Sequence, residues 1–190
     1  VTILGGGGIA RVLVSLLAPF RCEVTVVRRS SGPDDGLDPA SGSGGAPGGG
    51  SVRVVSVDRL AEALTGAEAL VLALPLLPET RRIVGDAELA RLAPGAWVVN
   101  VARGQHVDTD ALVAALDSGQ AGGAGLDVTD PEPLPDGHPL WGRSNVTITP
   151  HTGNTPEMAK PLLSARVSAN VAAYGAGRAL VGLIDPDLGY

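Results

Sequence analysis

The sequence is poor in cysteine and in charge, and both absences exclude classes of protein. Cys22 is the only cysteine in 190 residues, so neither a disulfide framework nor a cysteine-based metal site can form. We interpret Cys22 as a small apolar residue that opens a strand, and we expect no metal centre. Charged residues make up 18% of the chain and sum to −6. Nucleic acids and anionic membranes attract basic surfaces, so neither is an expected partner.

Long apolar runs are missing as well. No stretch reaches the length of a membrane span and no signal peptide is recognisable, so we expect a soluble, cytoplasmic protein. The chain is instead 44% hydrophobic, with 27 glycines and 15 prolines, which is typical of a parallel α/β sheet with tight turns. Its length allows one good core and a short appendage.

The first ten residues, V-T-I-L-G-G-G-G-I-A, carry the strongest local pattern. Val1–Leu4 reads as a short buried strand, glycines follow at the spacing G-x-G-x-x-[G/A], and a helical pattern begins at once. Such a junction points backbone N–H groups and the positive end of a helix at one spot, where a dinucleotide pyrophosphate can bind. A glycine-rich loop without a ligand is the alternative interpretation. The predicted coenzyme contacts here are Gly5, Gly7, Gly8, Ile9 and Ala10.

The second predicted strand, Glu23–Val27, ends in Arg28, Arg29 and Ser30. NAD-binding units commonly place an acidic residue near this point to accept hydrogen bonds from the adenosine ribose. Two guanidinium groups and a hydroxyl suit a 2′-phosphate instead. We therefore predict that these three residues bind NADP in preference to NAD, which stays possible. A solvated basic turn is the alternative.

Strands and helices alternate along the rest of the chain. We predict further strands at Val52–Val57, Leu70–Leu74, Ala96–Val101, Gly125–Val128 and Val146–Thr149. We predict helices at 58–64 and 86–92, after Asp108, and from about Pro156, where Pro161 should kink or delay the helix. The segment 31–51 has almost no apolar content and should form a surface loop. This rhythm predicts an α/β fold with a doubly wound parallel sheet of Rossmann type.

In such a sheet, ligands bind outside the carboxyl ends of the strands. Residues able to do chemistry lie at or after those ends: Arg103 just after the fifth strand, Asp127 at the sixth, Glu132 in the loop beyond it, and His151 just after the seventh. Taken one by one, each has an ordinary structural explanation, such as a surface ion pair or a capped histidine. We interpret the other two histidines, His106 and His138, as surface residues.

Several segments resemble the nucleotide-binding domain of the D-isomer-specific 2-hydroxyacid dehydrogenases. They are V-N-V-A-R-G, G-L-D-V-T-D-P-E-P-L-P, H-P-L-W, N-V-T-I-T-P-H-T-G and, in another family signature, L-P-L-L-P-E-T-R-R-I-V-G. The resemblance covers nearly the whole chain, in the family's order. It implies that the catalytic residues are Arg103, Glu132 and His151, and that the coenzyme is lined by Leu74, Pro75, Thr80, Val101, Ala102, Asp127 and Gly153.

Those roles suit the reduction of a small 2-keto acid to its 2-hydroxy acid. His151 can donate the proton, because an imidazole titrates near neutral pH. Glu132 can favour the charged imidazole, and Arg103 can bind the substrate carboxylate and polarise the keto oxygen. Asp127 is better placed to orient the nicotinamide ring.

The resemblance implies a two-domain enzyme, in which a segment before the coenzyme domain supplies much of the substrate pocket. We accordingly expect a coenzyme domain at 1–178, a tail at 179–190 that returns to a missing substrate domain, and no turnover by this chain alone. The resemblance also implies a homodimer, and the basic turn is similar to that of NADP-preferring glyoxylate and hydroxypyruvate reductases. Two alternatives are an NADH-sensing corepressor of the same fold and a nucleotide-binding module without chemistry.

Overall fold

The computed structural model describes residues 1–29, 37 and 50–185, and these residues form a seven-stranded parallel sheet. The strands lie in the order β3-β2-β1-β4-β5-β6-β7, and every neighbouring pair is parallel. The strand order reverses between β1 and β4, which makes that junction the topological switch point of the sheet. The strands are β1 (Thr2–Leu4), β2 (Val24–Arg28), β3 (Val52–Ser56), β4 (Ala69–Leu72), β5 (Ala96–Asn100), β6 (Ala121–Leu126) and β7 (Val146–Ile148).

Helices lie in the connections from β1 to β2, β3 to β4, β4 to β5 and β5 to β6, whereas the described connection from β6 to β7 contains none. The α-helices are α1 (Gly8–Leu17), α2 (Leu60–Leu64), α3 (Asp86–Leu89), α4 (Thr109–Ser118) and α5 (Pro156–Gly175). Four single turns of 3-10 helix lie at Ala18–Phe20, Val57–Arg59, Pro78–Thr80 and Gly104–His106. The sequence-based boundaries differ from these by a few residues, most at α3, which ends before the predicted Leu92.

Both faces of the sheet are covered. Ile3 belongs to one buried cluster and its neighbour Leu4 to another. Successive residues of a strand point to opposite faces, so the two clusters lie on opposite sides of the sheet. Helix α1 contributes Ala10 and Val14 to the first cluster, whereas α2, α3 and α4 contribute their buried residues to the second. The predicted doubly wound Rossmann-type fold is confirmed.

One residue of the segment predicted to be a surface loop is buried. Leu37 has no exposed surface and packs in the cluster of Ile3, Ala10 and Val26. A single leucine among glycines and serines can fill a gap beside α1, which the polar composition of the segment conceals. The rest of 30–49 lies outside the described residues.

Compactness divides the chain into two units, Val1–Pro150 and His151–Tyr190. Within the second unit, the Thr155 side chain caps α5 by accepting from the Met158 N–H at 3.4 Å. The Asn170 side chain also exchanges two hydrogen bonds with Val181. Helix α5 begins at Pro156, so Pro161 does not delay it. The predicted boundary after residue 178 stays a prediction.

No helix among the described residues is both long and apolar enough to cross a membrane.

Candidate coenzyme and active site

The glycine turn between β1 and α1 has the geometry that a bound anion needs. Gly5 has φ +108°, and a Cβ built there would lie 2.3 Å from the Ala73 carbonyl oxygen, so only glycine fits beside β4. Gly7 is the N-cap of α1, and a Cβ on Gly7 or Gly8 would meet no atom within 4 Å. The first turn of α1 carries no acidic residue. This open, positively polarised helix end fits a dinucleotide pyrophosphate.

The last two predicted contacts of this turn, Ile9 and Ala10, differ in exposure. Ala10 has no exposed surface and packs in the core, which holds α1 close to β1. The side chain of Ile9 is 54% exposed, so it is available to a ligand.

The basic residues after β2 lie beside this turn. Arg28 is the last residue of β2, and a Cβ on Gly6 would lie 3.1 Å from the Arg28 Cδ atom. The Arg29 guanidinium donates to Glu79 Oε1 at 2.6 Å, in an exposed ion pair. Ser30 lies outside the described residues. Arg28 therefore packs against the glycine turn, and Arg29 directly follows Arg28 in the chain.

The loop after β4 carries three of the predicted coenzyme contacts. Thr80 organises it: its hydroxyl donates to the Pro75 carbonyl oxygen at 2.8 Å and accepts from the Leu77 N–H at 2.7 Å. Leu74 is half-buried and packs against the larger core cluster. Hydrogen bonds within the loop therefore hold its conformation beside the glycine turn.

The turn after β5 holds Arg103. The buried Asn100 side chain closes this turn, donating to the Arg103 carbonyl oxygen at 2.9 Å and accepting from the Ala102 N–H at 3.0 Å. Ala102 is buried, whereas Val101 is 38% exposed. The Arg103 guanidinium donates to the Ala102 carbonyl oxygen at 2.6 Å, and the residue is exposed. An exposed cation on a tightly hydrogen-bonded turn can receive a carboxylate.

Gly104 joins this turn to the loop after β6. A Cβ on Gly104 would lie 1.8 Å from the Thr129 carbonyl oxygen, so the two segments touch backbone to backbone. The Thr109 hydroxyl adds a hydrogen bond to the Asp130 carbonyl oxygen at 2.7 Å. These contacts bring the Arg103 turn and the loop that carries Glu132 together.

Glu132 and Asp127 have different surroundings. Glu132 is exposed, and its Oε2 accepts from the Thr129 N–H at 3.3 Å. The peptide bonds before Pro131 and Pro133 are cis. Asp127 directly follows β6, is only 9% exposed, and accepts from the Thr149 hydroxyl at 2.5 Å. A buried carboxylate held by a hydroxyl can orient a neighbouring polar group.

His151 and Gly153 belong to the second unit and are both exposed. His151 has φ +53°, a left-handed conformation that is uncommon for a residue with a side chain. Such backbone conformations are concentrated at functional sites. The first unit by itself gathers the glycine turn, the basic turn, Arg103, Asp127 and Glu132 at the carboxyl edge of one sheet.

Sequence reasoning was wrong about His106. It was predicted to lie on the surface, yet it has no exposed surface, and its ring nitrogens contact the backbone of Arg103 and Pro75. The residue ends the 3-10 turn and is followed by a β-bridge between Val84 and Val107. His138 is half-buried. The Asn100 cap was also missed, although asparagine at the end of a strand is a known turn signal.

An all-parallel doubly wound sheet with an anion-binding glycine turn at its switch point defines a dinucleotide-binding domain of Rossmann type. Residues 1–153 match the family described as D-isomer specific 2-hydroxyacid dehydrogenase, NAD binding domain. The chain belongs to that family.

Two curated relatives and two solved structures are similar over essentially the whole chain. An uncharacterised protein of Corynebacterium melassecola is 40% identical over 100% of this chain and 58% of its own length. Glyoxylate/hydroxypyruvate reductase A of Serratia proteamaculans is 36% identical over 99% of this chain and 55% of its own length. The chain therefore spans little more than half the length of these relatives.

The solved structures carry a nicotinamide coenzyme. A 2-hydroxyacid dehydrogenase of Xanthobacter autotrophicus, in complex with NADPH and MES, has a TM-score of 0.82 and 35% identity, covering 100% of this chain and 72% of its own. An NADPH-dependent glyoxylate/hydroxypyruvate reductase of Sinorhizobium meliloti, in complex with NADP and sulfate, has a TM-score of 0.84 and 28% identity, covering 100% and 56%.

Proposed function

We propose that this chain is the coenzyme half of an NADP-preferring reductase that converts a small 2-keto acid, such as glyoxylate or hydroxypyruvate, to its D-2-hydroxy acid. The observation that carries the proposal is that Arg103 is exposed on a closed turn at the same sheet edge as the glycine turn. The names of the similar reductases support the substrate class. No observation favours a corepressor or a module without chemistry.

The proposed chemistry assigns one task to each catalytic residue. Arg103 binds the substrate carboxylate and polarises the keto oxygen. The bound coenzyme supplies the hydride that C2 receives, while His151 gives a proton to the keto oxygen. Glu132 favours the charged imidazole, and Asp127 orients the nicotinamide. Leu74, Pro75, Thr80, Val101, Ala102 and Gly153 are proposed to line the coenzyme.

The proposed preference for NADP rests on the positive charge of the residues at the end of β2. Arg28 ends β2, Arg29 and Ser30 follow it, and none of the three is acidic, so a 2′-phosphate would meet cations there. The coenzymes in the two similar structures agree with this choice.

We also propose that the protein works as a cytoplasmic homodimer. Helix α4 buries Ala111, Leu112, Ala115 and Leu116 in the core of its own chain, so these residues are not available to a second copy. The exposed apolar residues Val12 and Leu16 of α1 are better suited to a second copy.

The test uses the natural protein that contains this chain and follows NADPH oxidation with glyoxylate and with hydroxypyruvate. We expect turnover by the wild type. His151→Ala should lower kcat by roughly 100-fold or more, the usual worth of a positioned general acid. Arg103→Ala should mainly raise KM for the keto acid. The matched controls, His138→Ala and Arg59→Ala, should change either constant little.

Glu132→Gln separates the proposed proton chemistry from binding. The glutamine keeps the shape of the side chain but removes its negative charge, so kcat should fall while coenzyme affinity stays unchanged. Absence of any keto acid reduction by the wild type would contradict the proposed function, and an unchanged kcat of the variant would contradict the role of Glu132.

A further inference from the structure

His106 is a fully buried polar side chain at the point where the loops after β4 and β5 meet. Its Nδ1 lies 3.2 Å from the Arg103 backbone nitrogen, and its Nε2 lies 3.2 Å from the Pro75 carbonyl oxygen. Pro75 and His106 are 31 positions apart in the chain. A buried imidazole is costly unless both ring nitrogens have partners, and here both do.

The surrounding hydrogen bonds decide which nitrogen carries the proton. The Arg103 carbonyl oxygen lies 3.0 Å from Nδ1, but it already accepts from the Asn100 side chain and from the His106 N–H. If Nδ1 accepts from the Arg103 N–H, Nε2 is protonated and donates to the Pro75 oxygen. In that tautomer the ring makes one hydrogen bond to the backbone of each loop. Burial also lowers the pKa of the His106 imidazole, which favours the neutral ring.

The Pro75 carbonyl oxygen therefore receives two donors, the His106 ring and the Thr80 hydroxyl. Thr80 and Pro75 belong to the loop proposed to line the coenzyme. Arg103 is the residue proposed to bind the substrate carboxylate. One neutral imidazole thus fixes the position of the substrate-binding cation relative to the coenzyme loop.

We propose that His106 is a positioning residue that sets the distance between Arg103 and the coenzyme loop through these two hydrogen bonds. The proposal rests on the function proposed above for Arg103 and Pro75. If His106 were merely structural, replacing it would weaken substrate binding and coenzyme binding together, in proportion to the lost stability. If His106 is a positioning residue, a substitution should weaken one or the other, according to which of its two hydrogen bonds is lost.

Two variants keep one hydrogen bond each. In His106→Asn the amide oxygen stands as many bonds from Cα as Nδ1, so it can still accept from the Arg103 N–H but cannot reach Pro75. In His106→Gln the amide nitrogen stands as many bonds from Cα as Nε2, so it can still donate to Pro75. His138→Asn is the matched control, since the His138 Nδ1 atom accepts from the N–H of Leu140, two positions along the chain, at 3.2 Å.

NADPH affinity is measured by titration, and KM and kcat for glyoxylate are measured in the natural protein that contains this chain. His106→Asn should weaken NADPH binding roughly threefold to tenfold, the worth of one neutral hydrogen bond. His106→Gln should leave NADPH affinity within about twofold and raise KM for glyoxylate by a similar roughly threefold to tenfold. Equal effects of both variants on both constants, or no effect of either, would overturn the proposal.

Nitrogen NMR of the wild-type ring needs no variant and is independent of turnover. We expect a proton on Nε2, none on Nδ1, and no uptake of a second proton where histidines ordinarily titrate, at about pH 6.5. A ring protonated on Nδ1, or one that takes up a second proton near that pH, would overturn the proposal. If the wild type reduces no keto acid, the proposed function fails, whereas NMR and NADPH titration still decide whether His106 ties the two loops.

Discussion

Two arginine-bearing turns at the same sheet edge are built in opposite ways. The turn after β5 presents Arg103 on a backbone held by the buried Asn100 and His106 side chains and packed through Gly104 against the next loop. The turn after β2 presents Arg29 in an exposed ion pair with Glu79. The first turn is preorganised, so its cation does not have to be ordered when a ligand binds. The second depends on exposed charge, which solvent and salt screen.

The comparison predicts that the turn after β5, which is packed through Gly104, does not tolerate a larger side chain at that glycine. Gly104→Ala places a methyl group against the Thr129 carbonyl oxygen and should lower the free energy of unfolding by about 1–3 kcal/mol. The matched change Gly125→Ala, in β6, meets only Val99 methyl groups at 3.8 and 3.9 Å and should stay within about 1 kcal/mol of wild type. Chemical denaturation of both variants measures the difference. Equal stabilities would mean that the backbone contact at Gly104 is not tight.

A second prediction concerns the turn after β2 and the choice between NADPH and NADH. Replacing Arg28 and Arg29 together by alanine should weaken NADPH binding roughly tenfold to hundredfold, because charge-assisted hydrogen bonds to a phosphate are lost. NADH binding should barely change. Calorimetric titration with both coenzymes decides the point. The control is the double change Arg53→Ala with Arg59→Ala, which removes two exposed arginines that pair with Glu62. Parallel loss of NADH affinity would contradict the assignment.

The smallest expected effect is at Glu79. Glu79→Gln removes the exposed ion pair with Arg29 and should change the free energy of unfolding by less than about 1 kcal/mol. It should raise NADPH affinity by up to roughly threefold at low salt, because Arg29 no longer shares its charge with a carboxylate. The gain should disappear in concentrated salt. Weaker NADPH binding by this variant would show that Glu79 positions Arg29 instead of competing for it.

Local patterns were enough to predict most of the sheet. The apolar runs Val24–Val27 and Ala96–Asn100 form buried or half-buried strands, and the glycines after Leu4 form the turn they predicted. These features depend on side-chain periodicity and on residues that permit particular backbone angles, both of which are written in neighbouring positions. For the same reason the alternation of strands and helices correctly predicted that Arg103 follows β5, whereas Asp127, predicted inside the sixth strand, directly follows β6.

The polar framework of the site could not be predicted in the same way. His106 contacts Pro75 across 31 positions, and Asp127 contacts Thr149 across 22. The residues around His106 in the sequence give no sign that it is buried, so the sequence predicts a surface residue at that position. Leu37 was likewise hidden by its glycine-rich surroundings. Pairings of this kind arise only when separate loops are brought to the same edge.

The sequence by itself determined the class of the fold, the position of the anion-binding turn and the family to which the chain belongs. Each of these follows from short stretches whose periodicity or residue type restricts the backbone directly. Only the tertiary structure decided that His106 is buried, that Gly104 touches Thr129 and that Arg29 pairs with Glu79. The physical reason is that hydrogen bonds and close packing between distant residues form after the strands have aligned, so no local pattern can specify them.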